Sequence, residues 1–281
     1  MSPQAKQRIA YAILGVATAL VLVPVFVILF ILIEKGLAGV SWEFLTAKPR
    51  MGMRAGGIFP AIAGTIYLVL GTVAVALPLG LFSAIYLVEY ARPNAFTRTI
   101  EIAIVNLAGV PSVVYGLFGL GLFVIFLRLG ASIAAGSLTL AIMILPVIIT
   151  ASREALASVP KSFREVSLAL GVSKWQTIRC VVLPNALPGI LTGTILGTSR
   201  AAGETAPILF TVAAFYLPKL PSSIFDQCMA LPYHLYVLST QVPNVNPKIQ
   251  YGTALVLVGL VFLMNLVAIV IRSHFRRKKQ W

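Results

Sequence analysis

The chain has 281 residues, of which 59 % are hydrophobic and only 11 % charged, with a mean hydropathy of +0.95 and a formal net charge of +14. Soluble domains carry about 25 % charged residues, so an ordinary water-soluble fold is excluded and a polytopic membrane protein is predicted. The basic excess does not indicate a nucleic-acid binder. Such proteins concentrate charge in dense patches on polar domains, whereas long uncharged stretches separate the lysines and arginines here.

A membrane-spanning helix needs about 20 mostly apolar residues, and six segments meet that test, at about 9–33, 58–88, 100–127, 132–151, 187–214 and 251–271. The first follows Lys6 and Arg8 like a signal sequence. Its apolar run of 25 residues exceeds the h-region of a signal peptide, which is about 7 to 15 residues, so it is expected to stay as a span. Lysine and arginine are enriched in cytoplasmic loops. The two ends, the loop near Arg92 and the loop at 152–186 carry fourteen of them, against seven in the alternate loops, which predicts both termini inside. The expected fold is all-α with six transmembrane helices.

Two connections exceed what a turn requires. The inner loop at 152–186 is polar and helix-like, so something is built there. The outer segment at 215–250 carries Pro218, Pro221, Pro232, Pro243 and Pro247 among aromatic and polar residues, and is expected to lie at the outer surface as an interfacial or docking segment. Tyr216, Tyr233, Tyr236 and Tyr251 are expected to be interface aromatics. The basic tail at 272–279 suits an anchor on anionic lipid.

No GxxxxGK[ST], HExxH, GxSxG or CxxC pattern occurs, so nucleotide hydrolysis and the common nucleophilic and metal chemistries lack their parts. Cys180 and Cys228 fall on opposite sides and cannot pair. With His234 and His274 as the only histidines, no multi-histidine metal site is expected.

One charged pair falls inside a predicted span. Arg200 lies near the midpoint of the fifth segment and Glu204 follows four residues later, on the same helical face. Charges at bilayer depth are costly and mark a cavity or a substrate path; the permanently charged guanidinium fork suits an oxyanion. The alternative is a pair that merely neutralises itself. Around the pair, Gly203 permits a close backbone approach, and Pro207 removes the donor that the Gly203 carbonyl needs, so a kink or loosening is expected there. In the third segment Pro111 leaves the Leu107 carbonyl without its helical partner. Asn106, Ser112 and Tyr115 bring polar groups to depth, and Gly109, Gly116, Gly119 and Gly121 form a small face. This segment is either a proline-kinked packing helix or part of the path lining.

The inner loop reads EVSLALGVSKWQTIRCVVLP over 165–184. A short helix stopping at Gly171, followed by an amphipathic helix from Ser173, makes a compact hairpin able to enter a groove on a soluble partner. The stretch resembles the cytoplasmic coupling motif of ABC importer permeases: EAA, three residues, Gly, nine residues, I-x-LP. Glu165, Val166 and Ser167 occupy the EAA places, Ala169 lies between them and Gly171, and Val181, Leu183 and Pro184 close the motif with valine for isoleucine. SWEFLTAKPRMGMRAGGIFPAI, AGVPSVVYGLFGL, RAAGETAP and LPYHLYVLSTQVPN further resemble the permeases of phosphate ABC importers. GVPSVVYG and RAxGETAP are common to both permeases of that system. The short N-terminus, SWEFLTAKPR and PYHLY favour the PstA type over the PstC type.

That resemblance implies a type I ABC importer permease architecture in the bacterial inner membrane. It also implies a sister permease (PstC), an ATPase dimer (PstB) that holds ATP and Mg2+, and a periplasmic phosphate-binding protein (PstS). This chain itself would hold no cofactor and catalyse nothing. Arg200 and Glu204, with Ser112, Tyr115 and Asn106, would line the phosphate path; Pro111, Gly203 and Pro207 would be its hinges. Glu165, Ala169, Gly171, Val181, Leu183 and Pro184 would contact the ATPase, and Tyr233 and His234 the docked binding protein. From the residues alone, sulfate, molybdate or a gradient-driven anion carrier remain open.

Overall fold

A computed structural model describes residues 3–277. Lys278 and Lys279 of the basic tail lie outside the described residues. Helix α1 (Pro3–Leu37) leads to a short helix α2 (Trp42–Thr46) and a two-stranded hairpin, β1 (Pro49–Arg50) with β2 (Ala55–Gly56). Then follow α3 (Phe59–Ile85), α4 (Ala95–Ala108), α5 (Ser112–Gly119), α6 (Ile133–Ala157), α7 (Lys161–Ala169), α8 (Lys174–Thr177), α9 (Leu183–Gly203), α10 (Ala206–Thr211), α11 (Leu231–Thr240) and α12 (Pro247–Arg277). Single π-helical stretches extend α3 over Tyr86–Tyr90 and α5 over Leu120–Phe126, and join α8 to α9 over Ile178–Val182.

The core is built from three mutually packed helices, with α6 packed most extensively on α3 and α9, which also touch each other. Because lipid tails are as apolar as leucine, close approach rather than water exclusion holds such helices together, and small residues permit it. Gly71 lies against Ser137, Gly80 against Ile148, and Gly189 and Gly193 against Ala155 and Ala151. The buried hydroxyls of Thr65, Thr72, Thr139 and Thr194 donate to carbonyls four residues back at 2.7 to 3.0 Å, so they cost no unpaired polar group. Helix α1 packs on α12, where Gly36 meets the Tyr251 carbonyl and Leu255. The rest of α1 shows apolar side chains outward; Leu20 is 71 % exposed.

Among the described residues five helices are long and apolar enough to cross a membrane, and the third predicted span differs from expectation. It is no kinked helix but two helices, α4 and α5, bent by 104°. Pro111 has no N–H to continue α4 and drives Val110 out of the helical region, so α4 stops at Ala108 and α5 starts afresh at Ser112. Counted as one broken span, the pair brings the candidate crossings among the described residues to six. The end of α3 is tied to the inner loop through Glu89 and Arg164, while the start of α6 is tied to the outer segment, where Ile133 N–H donates to the Asp226 carbonyl at 2.9 Å. The chain between must pass from one side to the other.

Helical boundaries also run past the predicted ones at the inner loop. Helix α6 extends to Ala157, and helical backbone is continuous from Lys174 through the π-helical turn into α9, since Ser173 caps it with Gln176 in a reciprocal box. The outer segment corrects the sequence reading more strongly. Instead of lying at the surface, its stretch from Cys228 to Leu231 and the inner face of α11 enter the core, with Cys228, Leu231, Val237 and Leu238 fully buried. Gly64 makes room for the Met229 carbonyl, and the Thr65 hydroxyl accepts the Leu231 N–H at 2.8 Å.

Candidate functional site

Helix α9 ends at Gly203, and Glu204 takes an extended conformation, with φ −74° and ψ 134°. Pro207, within the first turn of α10, has no N–H for the Gly203 carbonyl, so the expected loosening is a full break. Arg200 therefore lies not at the middle of a span helix but in the last turn of α9. There the free carbonyl ends favour a cation. Its Nε lies 3.4 Å from Glu204 Oε1, a single long contact, and its two terminal nitrogens make no hydrogen bond among the described residues. The Arg200 side chain is 39 % exposed and Glu204 17 %. The carboxylate is held back while the fork faces outward from this chain.

The two broken spans meet. Helix α10 packs on α5, with Gly116 directly against Ala206, Pro207 and Phe210: a Cβ there would sit 2.8 Å from the Phe210 ring and 3.0 Å from the Ala206 carbonyl oxygen and Pro207 Cα. Neighbouring Tyr115 is buried and lies within electrostatic reach of the Arg200 guanidinium. Its hydroxyl donates to the Leu107 carbonyl at 2.7 Å, the group that Pro111 leaves without a helical donor. Tyr115 thus closes the break between α4 and α5, and its hydroxyl is committed there rather than free. The sequence had named both the orphaned carbonyl and Tyr115, without joining them.

Other predicted residues are placed less tightly. Ser112 opens α5, half-buried and without a side-chain hydrogen bond among the described residues; Asn106 sits on the other arm of the bend, exposed. Gly119 packs against Thr139, but Gly109 and Gly121 are exposed and meet no neighbouring element. Gly203 does not receive a close backbone approach in this chain, for a Cβ there would meet nothing within 4 Å; Gly116 is the glycine that does. Tyr233 and His234, expected at a docking surface, are 7 % and 2 % exposed and face the core. Burial with no donor to its Nδ1 pushes the His234 pKa down to about 4.

The inner loop folds as the expected hairpin. Helix α7 ends before Gly171, whose φ of +77° is the left-handed conformation that lets the chain turn back. The Ser167 and Thr177 hydroxyls, 2.9 Å apart, join its two arms. Phe163, Val166, Leu170, Val172, Cys180 and Val181 line an open groove of about 760 Å³. Its apolar rim is unusually bare, with Leu170 78 % and Val166 62 % exposed. Glu165, Ala169, Gly171 and Pro184 are exposed, and Val181 and Leu183 half-buried. An open apolar groove of this kind suits a protein or membrane contact.

A family model for the inner membrane component of binding-protein-dependent transport systems matches residues 76–281, which takes in the hairpin, the groove and both helix breaks. The chain belongs to that family. Within it, the sequence resembles the PstA-type permeases over nearly the whole chain. It is 34 % identical over 280 residues to the phosphate transport system permease protein PstA 1 of Mycobacterium tuberculosis, covering 98 % of this chain and 90 % of that one. It is 33 % identical to the probable ABC transporter permease protein YqgI of Bacillus subtilis, with 95 % of each covered. Among solved structures, a bacterial ABC transporter importing the acidic polysaccharide alginate aligns with a TM-score of 0.68 at 12 % identity, over 96 % of this chain and 99 % of that one. The MetNI methionine ABC transporter aligns with a TM-score of 0.59 at 18 % identity, over 78 % and 94 %. At those identities the structures speak for the fold, a type I importer permease. The protein is a multi-pass membrane permease of an ABC importer.

Proposed function

We propose that this chain is one of two unlike permeases of an ATP-driven, high-affinity importer of inorganic phosphate, lying in the bacterial inner membrane with both termini in the cytoplasm. Its partners on this reading are a PstC-type sister permease, a PstB-type ATPase dimer that binds ATP and Mg2+, and a PstS-type periplasmic phosphate-binding protein. The observation that carries the reading is Arg200. A permanently charged fork with two free donor nitrogens stands at the break that ends α9, beside the packing of α10 on α5, its counter-charge Glu204 held by one long contact.

The steps follow from those parts. The loaded binding protein docks on the outer face and delivers an oxyanion to the gap between the permeases. Arg200 exchanges its loose contact with Glu204 for the anion's oxygens, a weak single-residue site that suits a conduit obliged to release what it receives. Ser112 and Asn106 add hydrogen-bonding groups along the arms of the α4–α5 bend, and the breaks at Pro111, Gly203 and Pro207 are the hinges. Inside, nucleotide-driven closure of the ATPase dimer moves the α7–α8 hairpin, with Glu165, Ala169, Gly171, Val181, Leu183 and Pro184 around the docking groove. The segment at 152–186 then faces the ATPase and parts of 215–250 face the periplasm.

Proteoliposomes holding this chain with its sister permease and ATPase, supplied with the loaded binding protein, test the reading. The expected result is uptake of labelled phosphate that needs internal ATP and is not displaced by a hundredfold excess of sulfate or molybdate. Displacement by either anion would reassign the substrate. Uptake by this chain alone without the ATPase would overturn the ABC mechanism in favour of a gradient-driven carrier.

A further inference from the structure

Residues other than the motif's defining positions bind the hairpin to the span helices. Arg164 on α7 is only 18 % exposed and uses its whole fork: Nε and one terminal nitrogen donate to Glu89 Oε1 at 3.0 and 2.8 Å. The other terminal nitrogen donates to the Val159 carbonyl at 2.7 Å, and the first donates also to the Leu156 carbonyl at 2.8 Å. Those carbonyls belong to the end of α6 and the turn beyond it. Glu89, 8 % exposed, stands in the π-helical turn that ends α3. From the second arm of the hairpin, Lys174 reaches the same turn, donating to the Glu89 carbonyl and lying 4.8 Å above the Tyr90 ring. Beneath the cluster, Ala84 and Ile85 of α3, Leu156 of α6 and Ile178 and Val182 of the π-helical turn that joins α8 to α9 share an apolar core.

Such an arrangement is costly as a stabilising device. A mostly buried ion pair gains little over apolar packing, yet losing one partner strands a charge. Its geometric value is different: Arg164 fastens α7 to two spans at once, and the elements on either side are π-helical turns, which tolerate local rearrangement. Helices α6 and α9 are joined to the hairpin through the chain itself, α6 by the three-residue turn before α7, whereas α3 is held to it by side chains. We propose that Glu89, Arg164 and Lys174 form a joint that transmits hairpin movement to α3 and α6, so that losing it leaves nucleotide hydrolysis running without transport. This rests on the ABC reading above and assigns positioning roles to three residues that touch neither substrate nor nucleotide.

The test is Glu89→Gln and, separately, Lys174→Met, in the reconstituted complex of both permeases, ATPase and loaded binding protein. Glu89→Gln keeps the shape but removes the charge; Lys174→Met changes only an exposed side chain, so folding is not at stake. ATPase stoichiometry in the purified complex, ATP hydrolysis and phosphate uptake are measured on the same preparations. The expected result is unchanged stoichiometry, hydrolysis within about twofold of the wild type, and phosphate moved per ATP reduced at least tenfold for Glu89→Gln and about threefold for Lys174→Met. Unchanged transport per ATP in both variants overturns the joint, as does loss of the ATPase subunit, which would make these residues part of the docking surface. Failure of the wild-type complex to couple uptake to ATP would instead overturn the ABC reading itself.

Discussion

Replacing Arg200 by glutamine removes the charge and the fork while keeping a polar side chain of similar reach. In the free chain little is lost, since the guanidinium makes one 3.4 Å contact and is 39 % exposed. With an oxyanion in place, the two terminal nitrogens become charge-assisted donors, each contributing about 1.5 to 3 kcal/mol. Partial exposure favours the lower figure, so the pair is worth about 3 kcal/mol, or about a hundredfold in kcat/KM for uptake. Arg200→Lys keeps the charge but presents a point donor instead of a fork; losing one bond of about 1.5 kcal/mol predicts about a tenfold fall. Initial rates of labelled phosphate uptake, normalised to permease in the membrane, make the measurement. Glutamine uptake within twofold of the wild type would refute the anion contact. Equal losses for lysine and glutamine would show that the positive charge contributes nothing, which would also refute the charge-assisted anion contact.

Gly116→Val drives a side chain into Phe210, Ala206 and Pro207, an overpacking cost of about 1 to 3 kcal/mol. Its thermal midpoint in detergent should fall, whereas Gly121→Ala, with nothing within 4 Å, should melt like the wild type. At Gly171, where φ is +77° and space is open, alanine suffers backbone strain alone, about 1 to 2 kcal/mol. Amide exchange in α7 and α8 should quicken several-fold, and less in Gly171→Asn. His234, outside the spans, has its pKa lowered by burial to about 4, against about 6.5 when unfolded. The unfolded chain therefore binds the extra proton, and stability present above pH 6.5 is lost as pH falls toward 4, by up to about 3 kcal/mol. A melting curve series from pH 7 to 4 should show this fall, reduced in His234→Leu. Cys180 lines the exposed groove while burial pushes the Cys228 thiol up to about 12. Maleimide at pH 7 should label one thiol of the two, and bound ATPase should slow that labelling; rapid labelling of both would contradict the buried outer segment.

Much of the fold was legible because lipid imposes a strict demand. Every spanning segment must be long, apolar and internally hydrogen-bonded, and that demand is written residue by residue. The hairpin was legible for a local reason too, since Gly171 and the Ser173 cap act within a turn of their own positions. What the sequence reading missed lay in pairings between distant residues. Pro111 foretold a disturbed helix, but a kink and a 104° break begin with the same missing donor; in the break, the Leu107 carbonyl accepts from the Tyr115 hydroxyl and the Val110 N–H, a pairing no local pattern announced. The outer segment was misplaced because its prolines and tyrosines look interfacial, while its burial hinges on Gly64 and Thr65, more than 160 residues away.

The sequence by itself pointed to a polytopic membrane protein, to the apolar segments that form its long helices, and to the few polar residues placed where lipid would exclude them. Those follow from transfer energies and backbone chemistry, which act on each segment alone. Only the tertiary structure decided that Arg200 ends a helix rather than sitting within one, that Gly116 in the middle of α5 packs against the start of α10 at Ala206 and Pro207, and that Arg164 fastens the hairpin to α3 through Glu89 and to α6 through the Leu156 carbonyl. These depend on side chains meeting across the packed helices, where distances of about 3 Å between groups far apart in the chain set the interaction and no local pattern records them.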